Sequence, residues 1–373
     1  MGIYYTIHLI AVAACGFEFL KDYKLKIRII KVLMLMFILF GGLRWNVGND
    51  WAQYYNLFNL CDFEHIFNFD RYGNGGESLE PGFVFANALI KNIFGEFYIY
   101  NILLQFFIQL TYLKFSEQYS PKYPILLYAF IMSIRPNYFA VRAGFAVCIC
   151  FWAYRYIREK DLKKFLLVVI LGSSVHYQCL IFFPFYFAGK IKMNIWLYLA
   201  IFWSFAIVGT VYQTYFVNFA LMLSGGGDVA DKLSFYSSYM GDSHKGAQFF
   251  GYFTNFFFIV NFFYIRRMKH LEKDEWYNAL LNMNLVYNAC LMVFADGMGE
   301  LVRLAIVFFP AYAILMVNAA TSYFNSHSKL IRAGSAAFFI FYLLYKIPQQ
   351  FAGYYFEMTC LPYKTIFDYH ILN

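Results

Sequence analysis

The chain has 373 residues, of which 61% are hydrophobic, 23% aromatic and only 14% charged, against roughly 25% charged in soluble domains. With mean hydropathy at +0.50, there are too few polar side chains to cover a water-facing surface, which excludes a soluble enzyme. The formal net charge of +8 is read by position: Lys and Arg clusters in a membrane chain mark cytoplasmic loops, so no nucleic-acid partner is expected.

Apolar stretches fall at 3–20, 26–43, 82–94, 97–115, 123–134, 138–157, 164–188, 192–212, 247–265, 276–294, 301–319 and 332–348. Lipid cannot satisfy free backbone amides, and long apolar runs without period-2 alternation choose helices over a barrel. The expected fold is therefore all-α: a single polytopic membrane helix bundle over 1–373, with about ten to thirteen crossings by the window criterion. Lys21, Lys24, Lys26, Arg28 and Lys31, then Arg155, Arg158, Lys160, Lys163 and Lys164, then Arg266, Arg267, Lys269 and Lys273, and finally Lys329 and Arg332 are expected to face the cytoplasm.

From those anchors the loops 44–80 and 213–248, the segment around Arg142, the turn 296–300 and the C-terminal tail fall outside. The pieces 82–94 and 123–134 are shorter than the roughly 17 residues a straight crossing needs, so short re-entrant or interfacial segments are expected there. The stretch 164–190 begins and ends beside basic residues, and a shallow hairpin turning through Gly172, Ser173, Ser174, Val175 and His176 accounts for both flanks. Ser224, Gly225, Gly226, Gly227 and Asp228 give the loop 213–248 a flexible polar run, read as an external loop or lid.

Ionisable residues beside apolar helices are expensive and by default line sites or pathways. Arg44 and Asp50 stand at the external end of the second apolar run; they suit anion binding and proton acceptance, and equally an interfacial anchor beside Trp45 and Trp51. Arg142 lies among Ala140, Ala143 and Gly144, which leave room for a ligand, and a guanidinium fork suits a pyrophosphate. His176 follows two serines and is a candidate base or a packing residue. Arg303 stands at another external helix end, with Asp296 and Glu300 as salt-bridge rivals. The seven cysteines, among them Cys148, Cys150, Cys179 and Cys290, form no CxxC pair and read as packing residues. No HExxH, GxSxG or GxxxxGK[ST] occurs, so no metal and no cofactor is expected.

At these residues the chain resembles the EpsG-like family of bacterial polysaccharide polymerases, within the broader Wzy-type group. Arg44, Gly48, Asp50 and Tyr54, with Tyr55 following, are similar to that family's R-x-x-G-x-D-x-x-x-Y stretch, and Glu80, Pro81, Gly82 and Phe83 come after a polar loop. Asn137 to Ala146 resembles its N-x-x-R-x-x-x-A helix start, with Ala143 where glutamine is common. Ser174, Val175, His176 and Tyr177 are similar to its F-H turn, with Ser173 and Val175 at the small and aromatic positions. Arg303 with Phe308, Phe309 and Pro310, and Leu361, Pro362 and Tyr363 near the end, complete the likeness.

The resemblance implies a membrane glycosyltransferase on the outer face of the bacterial inner membrane. It would join undecaprenyl-pyrophosphate-linked oligosaccharide repeat units into O-antigen, capsule or exopolysaccharide. A lipid-linked oligosaccharide transporter or flippase, and an O-antigen ligase, are the alternatives. Partners so implied are the lipid-linked oligosaccharide, membrane lipid, a chain-length regulator and a flippase. In that scheme Arg142, Arg303 and Arg44 neutralise pyrophosphate, His176 or Asp50 accepts the proton of the attacking hydroxyl, and Trp51, Tyr54 and Tyr55 stack on sugar rings.

Overall fold

The computed structural model describes all residues except 49, 65, 68–78, 140, 212–244, 295–298, 325, 352–353 and 369–373, and excludes the side chains of 210–211, 245–250, 299–301 and 354–355. The expected loop around 224–228 and the turn beginning at 296 lie outside the described residues. Among the described residues every regular element is helical, and the sole β-type pairing is an isolated bridge between Arg44 and Thr365. The protein is a helical membrane bundle. Among the described residues three helical segments, Gly2–Phe19, Val302–Ser322 and Lys329–Gln350, are long and apolar enough to cross a bilayer by length and composition.

The helices are α1 (Gly2–Ala14), α2 (Tyr23–Gly42), α3 (Trp51–Leu60), α4 (Pro81–Phe94), α5 (Phe97–Tyr119), α6 (Pro124–Ile134), α7 (Arg142–Glu159), α8 (Leu162–Val175), α9 (Ile195–Val211), α10 (Lys245–Met268), α11 (Glu275–Phe294), α12 (Gly299–Ala305), α13 (Phe309–Ser322), α14 (Lys329–Gln350) and α15 (Tyr354–Cys360). Their ends follow local chemistry. The Asp22 carboxylate accepts from the amides of Lys24 and Leu25 to start α2, satisfying two donors that no helical carbonyl can reach. Pro81 and Pro124 stand in the first turns of α4 and α6, where a missing N–H costs nothing. Gly95, at φ 76°, closes α4 in the left-handed conformation that glycine adopts without strain.

The chain forms two compact units. The first comprises Met1–Tyr156, Lys163–Leu180 and Ala320–Asn373. Its 11-residue α6, predicted too short to span, is buried along ten of those residues from Pro124 to Ser133, wrapped by protein instead of lipid. Two buried polar pairs lie within the unit: Lys26 pairs with Glu18 at 3.0 Å, and Gln109 accepts from the Tyr128 hydroxyl at 2.6 Å. Such pairing is what lowers the cost of polar atoms away from water.

The second unit comprises Ile157–Leu162 and Ile181–Ala319. Four buried asparagines of α11, Asn278, Asn282, Asn284 and Asn288, organise it. Asn282 donates to the carbonyls of Ala188 and Ile191 at 2.7 and 2.8 Å, and Asn284 donates to the Tyr198 hydroxyl at 3.1 Å. Asn282 thus ties the end of the long 3-10 run Tyr177–Lys190 to α11 through the Ala188 and Ile191 carbonyls. Where a hairpin was expected through 172–176, the backbone stays helical to Val175 and changes to 3-10 geometry after His176.

Candidate functional site

The candidate cluster belongs to the first unit and is centred on Glu80, the residue before the first turn of α4. Pro81 fixes the start of that helix, and Gly82 brings it against the end of α8. A Cβ on Gly82 would fall 2.7 Å from the Ser174 carbonyl oxygen, so only glycine permits the approach. Glu80 Oε1 then lies 2.7 Å from His176 Nδ1 and accepts from the Tyr177 amide at 3.0 Å. Glu80 Oε2 lies 3.4 Å from Arg142 Nη1. One carboxylate, from the end of a polar loop, therefore joins two residues singled out independently by their charge.

All three side chains are largely buried, with Arg142 16%, Glu80 10% and His176 9% exposed. Burial pushes the Glu80 carboxyl upward, but the His176 hydrogen bond and the Arg142 charge outweigh it and hold the group below its ordinary value. Glu80 is thus an ionised acceptor. An ionised carboxylate has no proton to give, so His176 must donate from Nδ1, and in the neutral ring Nε2 carries the free lone pair. The His176 amide bonds to the Gly172 carbonyl at 2.9 Å and the His176 carbonyl accepts from Cys179 at 3.1 Å, so its backbone is held on both sides.

Arg142 is the first residue of α7. The helix dipole is positive there and disfavours a cation; Glu80 offsets that, and an incoming anion would too. Arg142 Nε has no hydrogen-bond partner. The loop leading into α7 is set by α5: Gln105 donates to the Tyr138 carbonyl at 3.0 Å and Tyr112 accepts from the Asn137 side chain at 2.7 Å. Asn137 adopts φ 54°, a left-handed conformation to which asparagine is well suited.

Beside the cluster, α4, α5, α7 and α8 of the first unit enclose an apolar groove of about 620 Å³. Gly82, Ser174 and Val175 line it next to Glu80 and His176, while Phe85, Leu89, Phe107 and Trp152 are among its apolar lining. An amphiphile with a charged head and a hydrocarbon tail fits this juxtaposition.

The other predicted residues occupy different settings. Arg44 is only 2% exposed. It donates to the Val47 carbonyl at 3.3 Å and lies 5.0 Å from the Phe139 ring centroid. The C-terminal segment closes over it: Trp45 N–H bonds to the Lys364 carbonyl, Gly48 N–H to the Thr359 carbonyl and Ile366 N–H to the Leu43 carbonyl, each at 2.9 Å. Gly48 has φ 107°, and a Cβ there would meet Arg44 Nη1 at 3.0 Å. Burial pulls the Arg44 pKa down to about 10, with Tyr363, Cys360, Tyr4 and Asp50 acting the other way, so it remains a cation at neutral pH. Asp50 precedes α3 and acts on Arg44.

Trp51 is 6% exposed, stacked on Tyr55 with centroids 5.2 Å apart and against Trp45 at 4.9 Å. Tyr54 meets Phe83 of α4 edge-on at 5.9 Å. Arg303 lies half-buried in α12 of the second unit. The residue that sequence reasoning did not rank as a site member is Glu80. Its signal was faint: a carboxylate ending a polar loop, immediately before a proline that starts a helix.

A family model described as the EpsG family matches residues 26–365. No curated protein and no solved structure matches the chain.

Proposed function

The chain belongs to the EpsG family, a group of polysaccharide-polymerase-like membrane proteins, and from that premise we propose that it joins lipid-pyrophosphate-linked oligosaccharide units at the Glu80, His176 and Arg142 cluster. The observation that carries this reading is the shared Glu80 carboxylate, which holds a histidine and an arginine together beside an apolar groove.

In the proposed reaction the acceptor sugar hydroxyl attacks the anomeric carbon of the donor. The bond between that carbon and the pyrophosphate oxygen breaks, and the lipid pyrophosphate leaves with the bonding pair. His176 Nε2 takes the hydroxyl proton, while Glu80 keeps the ring oriented and stabilises the imidazolium formed. Arg142, at the positive end of α7, neutralises the charge growing on the leaving pyrophosphate; in a partly dry site such stabilisation is worth far more than in water. The groove would take the polyprenyl tail, so that binding at a distance from the reacting carbon positions it.

This reading assigns Glu80 as a positioning residue and leaves Asp50 and Arg44 to the fold around α3 and the C-terminal segment. Trp51 and Tyr55, packed on each other, support α3 and the segment before it, and half-buried Tyr54 is the member of that trio best placed to meet a sugar. The outer face of the inner membrane and the undecaprenyl carrier belong to this proposal, supported by the family membership.

The test is a polysaccharide gel from cells lacking the chromosomal gene and expressing His176→Ala at wild-type membrane levels. Long chains should fall on the order of 100-fold, to single repeat units. Normal long chains would overturn the assignment, and unassembled glycan lacking any attachment would point to a ligase.

A further inference from the structure

The second unit contains a pocket that the polymerisation chemistry does not use. It measures about 550 Å³ and is lined by Arg158, Lys160, Lys190 and Lys273, with Asp274, Glu275, Tyr186 and Trp276 completing its polar and aromatic wall. We propose that this pocket binds a phosphate-bearing anion at the basic, cytoplasm-facing end of the bundle, its ligand being an anionic phospholipid headgroup or a free phosphorylated molecule.

Four cations and two carboxylates line the pocket, and both carboxylates are already engaged. Glu275 Oε2 pairs with Lys160 Nζ at 2.7 Å. Asp274 Oδ1 accepts from the amides of Trp276 and Tyr277 at 2.8 and 3.4 Å, capping α11. Among the described residues no carboxylate lies within salt-bridge distance of Arg158, Lys190 or Lys273. Four cations against two carboxylates leave the concavity an excess of two positive charges, and Arg158, Lys190 and Lys273 have no direct carboxylate contact there.

The concavity is built into the fold. Gly189 packs directly on the first residue of α11, where a Cβ would meet the Glu275 carbonyl carbon at 3.0 Å. That contact holds the end of the 3-10 run beside α11. Asn282 fixes the same end through the Ala188 and Ile191 carbonyls. Lys190 is laid over the Phe187 ring at 5.0 Å, which fixes its stem and limits the entropy lost on binding. Arg158 sits in the last turn of α7, where the helix dipole favours a cation.

Trp276 and Tyr186 are residue types that settle at headgroup depth, and four basic residues beside them match an anionic lipid surface. The chemistry shared by both ligand sources is the phosphate group, recognised by a guanidinium fork and ammonium donors.

The full-length protein in nanodiscs supplies the test. One arm measures retention of phosphatidylglycerol over phosphatidylcholine by native mass spectrometry. The other measures the Tm shift produced by inorganic pyrophosphate in phosphatidylcholine discs. Wild type should prefer the anionic lipid about tenfold, as an excess of two interfacial charges allows, and Arg158→Gln/Lys190→Gln/Lys273→Gln should lose that preference. Glu275→Gln removes a carboxylate from the pocket and frees Lys160, so it should raise retention about threefold, an increase that loss of fold cannot imitate. A pyrophosphate shift present in wild type and reduced in the triple variant, without lipid preference, assigns a soluble ligand. The proposal is overturned if neither probe separates wild type from the triple variant. It is also overturned if neutralising Lys21, Lys24 and Arg28, exposed at the start of α2, removes the preference equally.

Discussion

Arg44 and Arg142 are both arginines at helix ends in the first unit, and their surroundings differ in kind. Arg44 is enclosed: its own C-terminal segment bonds across it at three backbone positions, its guanidinium lies over Phe139, and 2% of the residue is exposed. Arg142 shares a carboxylate with a histidine and stands near a groove with room for a tail. A charge sealed by the chain's own backbone serves the fold, whereas one coupled to a second titratable group beside a cavity is equipped for chemistry.

Glu80 offers the sharpest way to break that contrast. Glu80→Ala frees the His176 ring and removes the compensation for Arg142, and polymer yield should drop on the order of 100-fold at unchanged membrane levels. Glu80→Gln keeps an acceptor for Nδ1 without the charge and should retain more activity than Glu80→Ala. Because the folded Glu80 carboxyl is held below its ordinary value of 4.5, its contribution to stability is complete above that value. It is lost as pH falls through the lowered folded value. The Tm difference between wild type and Glu80→Gln should therefore narrow on acidification below about pH 4.5, and a constant difference would show that Glu80 is not ionised in the folded protein.

Gly82→Ala touches none of the reacting groups but forces α4 away from Ser174. Lengthening the Glu80 to His176 hydrogen bond in this way should lower polymer yield roughly tenfold, since small misplacements of catalytic groups are costly; unchanged yield measured by gel densitometry would show that the bond is not needed. Arg44→Met, which fills similar space without the charge, should leave yield within about threefold of wild type. Its Tm should hold or rise, as replacing a buried charge by an apolar side chain often does. A large loss of polymer with an intact fold would move Arg44 into the site.

How much of this was visible in the chain depends on the distance over which the information acts. Arg142 and His176 could be found because each is an ionisable residue beside a long apolar run, a cost readable from neighbouring residues alone. Glu80 stood in the family likeness without a role, because its partners lie 62 and 96 positions away and a carboxylate in a polar loop looks solvated. The short length of α6 was legible from its apolar run, but not that its neighbours bury it on all sides, which depends on packing. The backbone change near His176 was expected at the right place and in the wrong form, because Gly and Ser residues signal a turn as readily as a change of helix type. Trp51 carried the composition of a sugar platform, yet its ring is committed to Trp45 and Tyr55.

The most direct measurement compares polysaccharide gels from cells expressing Arg142→Ala and Arg44→Met at matched membrane levels. Arg142→Ala should yield single repeat units while Arg44→Met still yields long chains. Long chains from Arg142→Ala, or their loss from a normally folded Arg44→Met, would contradict the assignment of the chemistry to the Glu80 cluster.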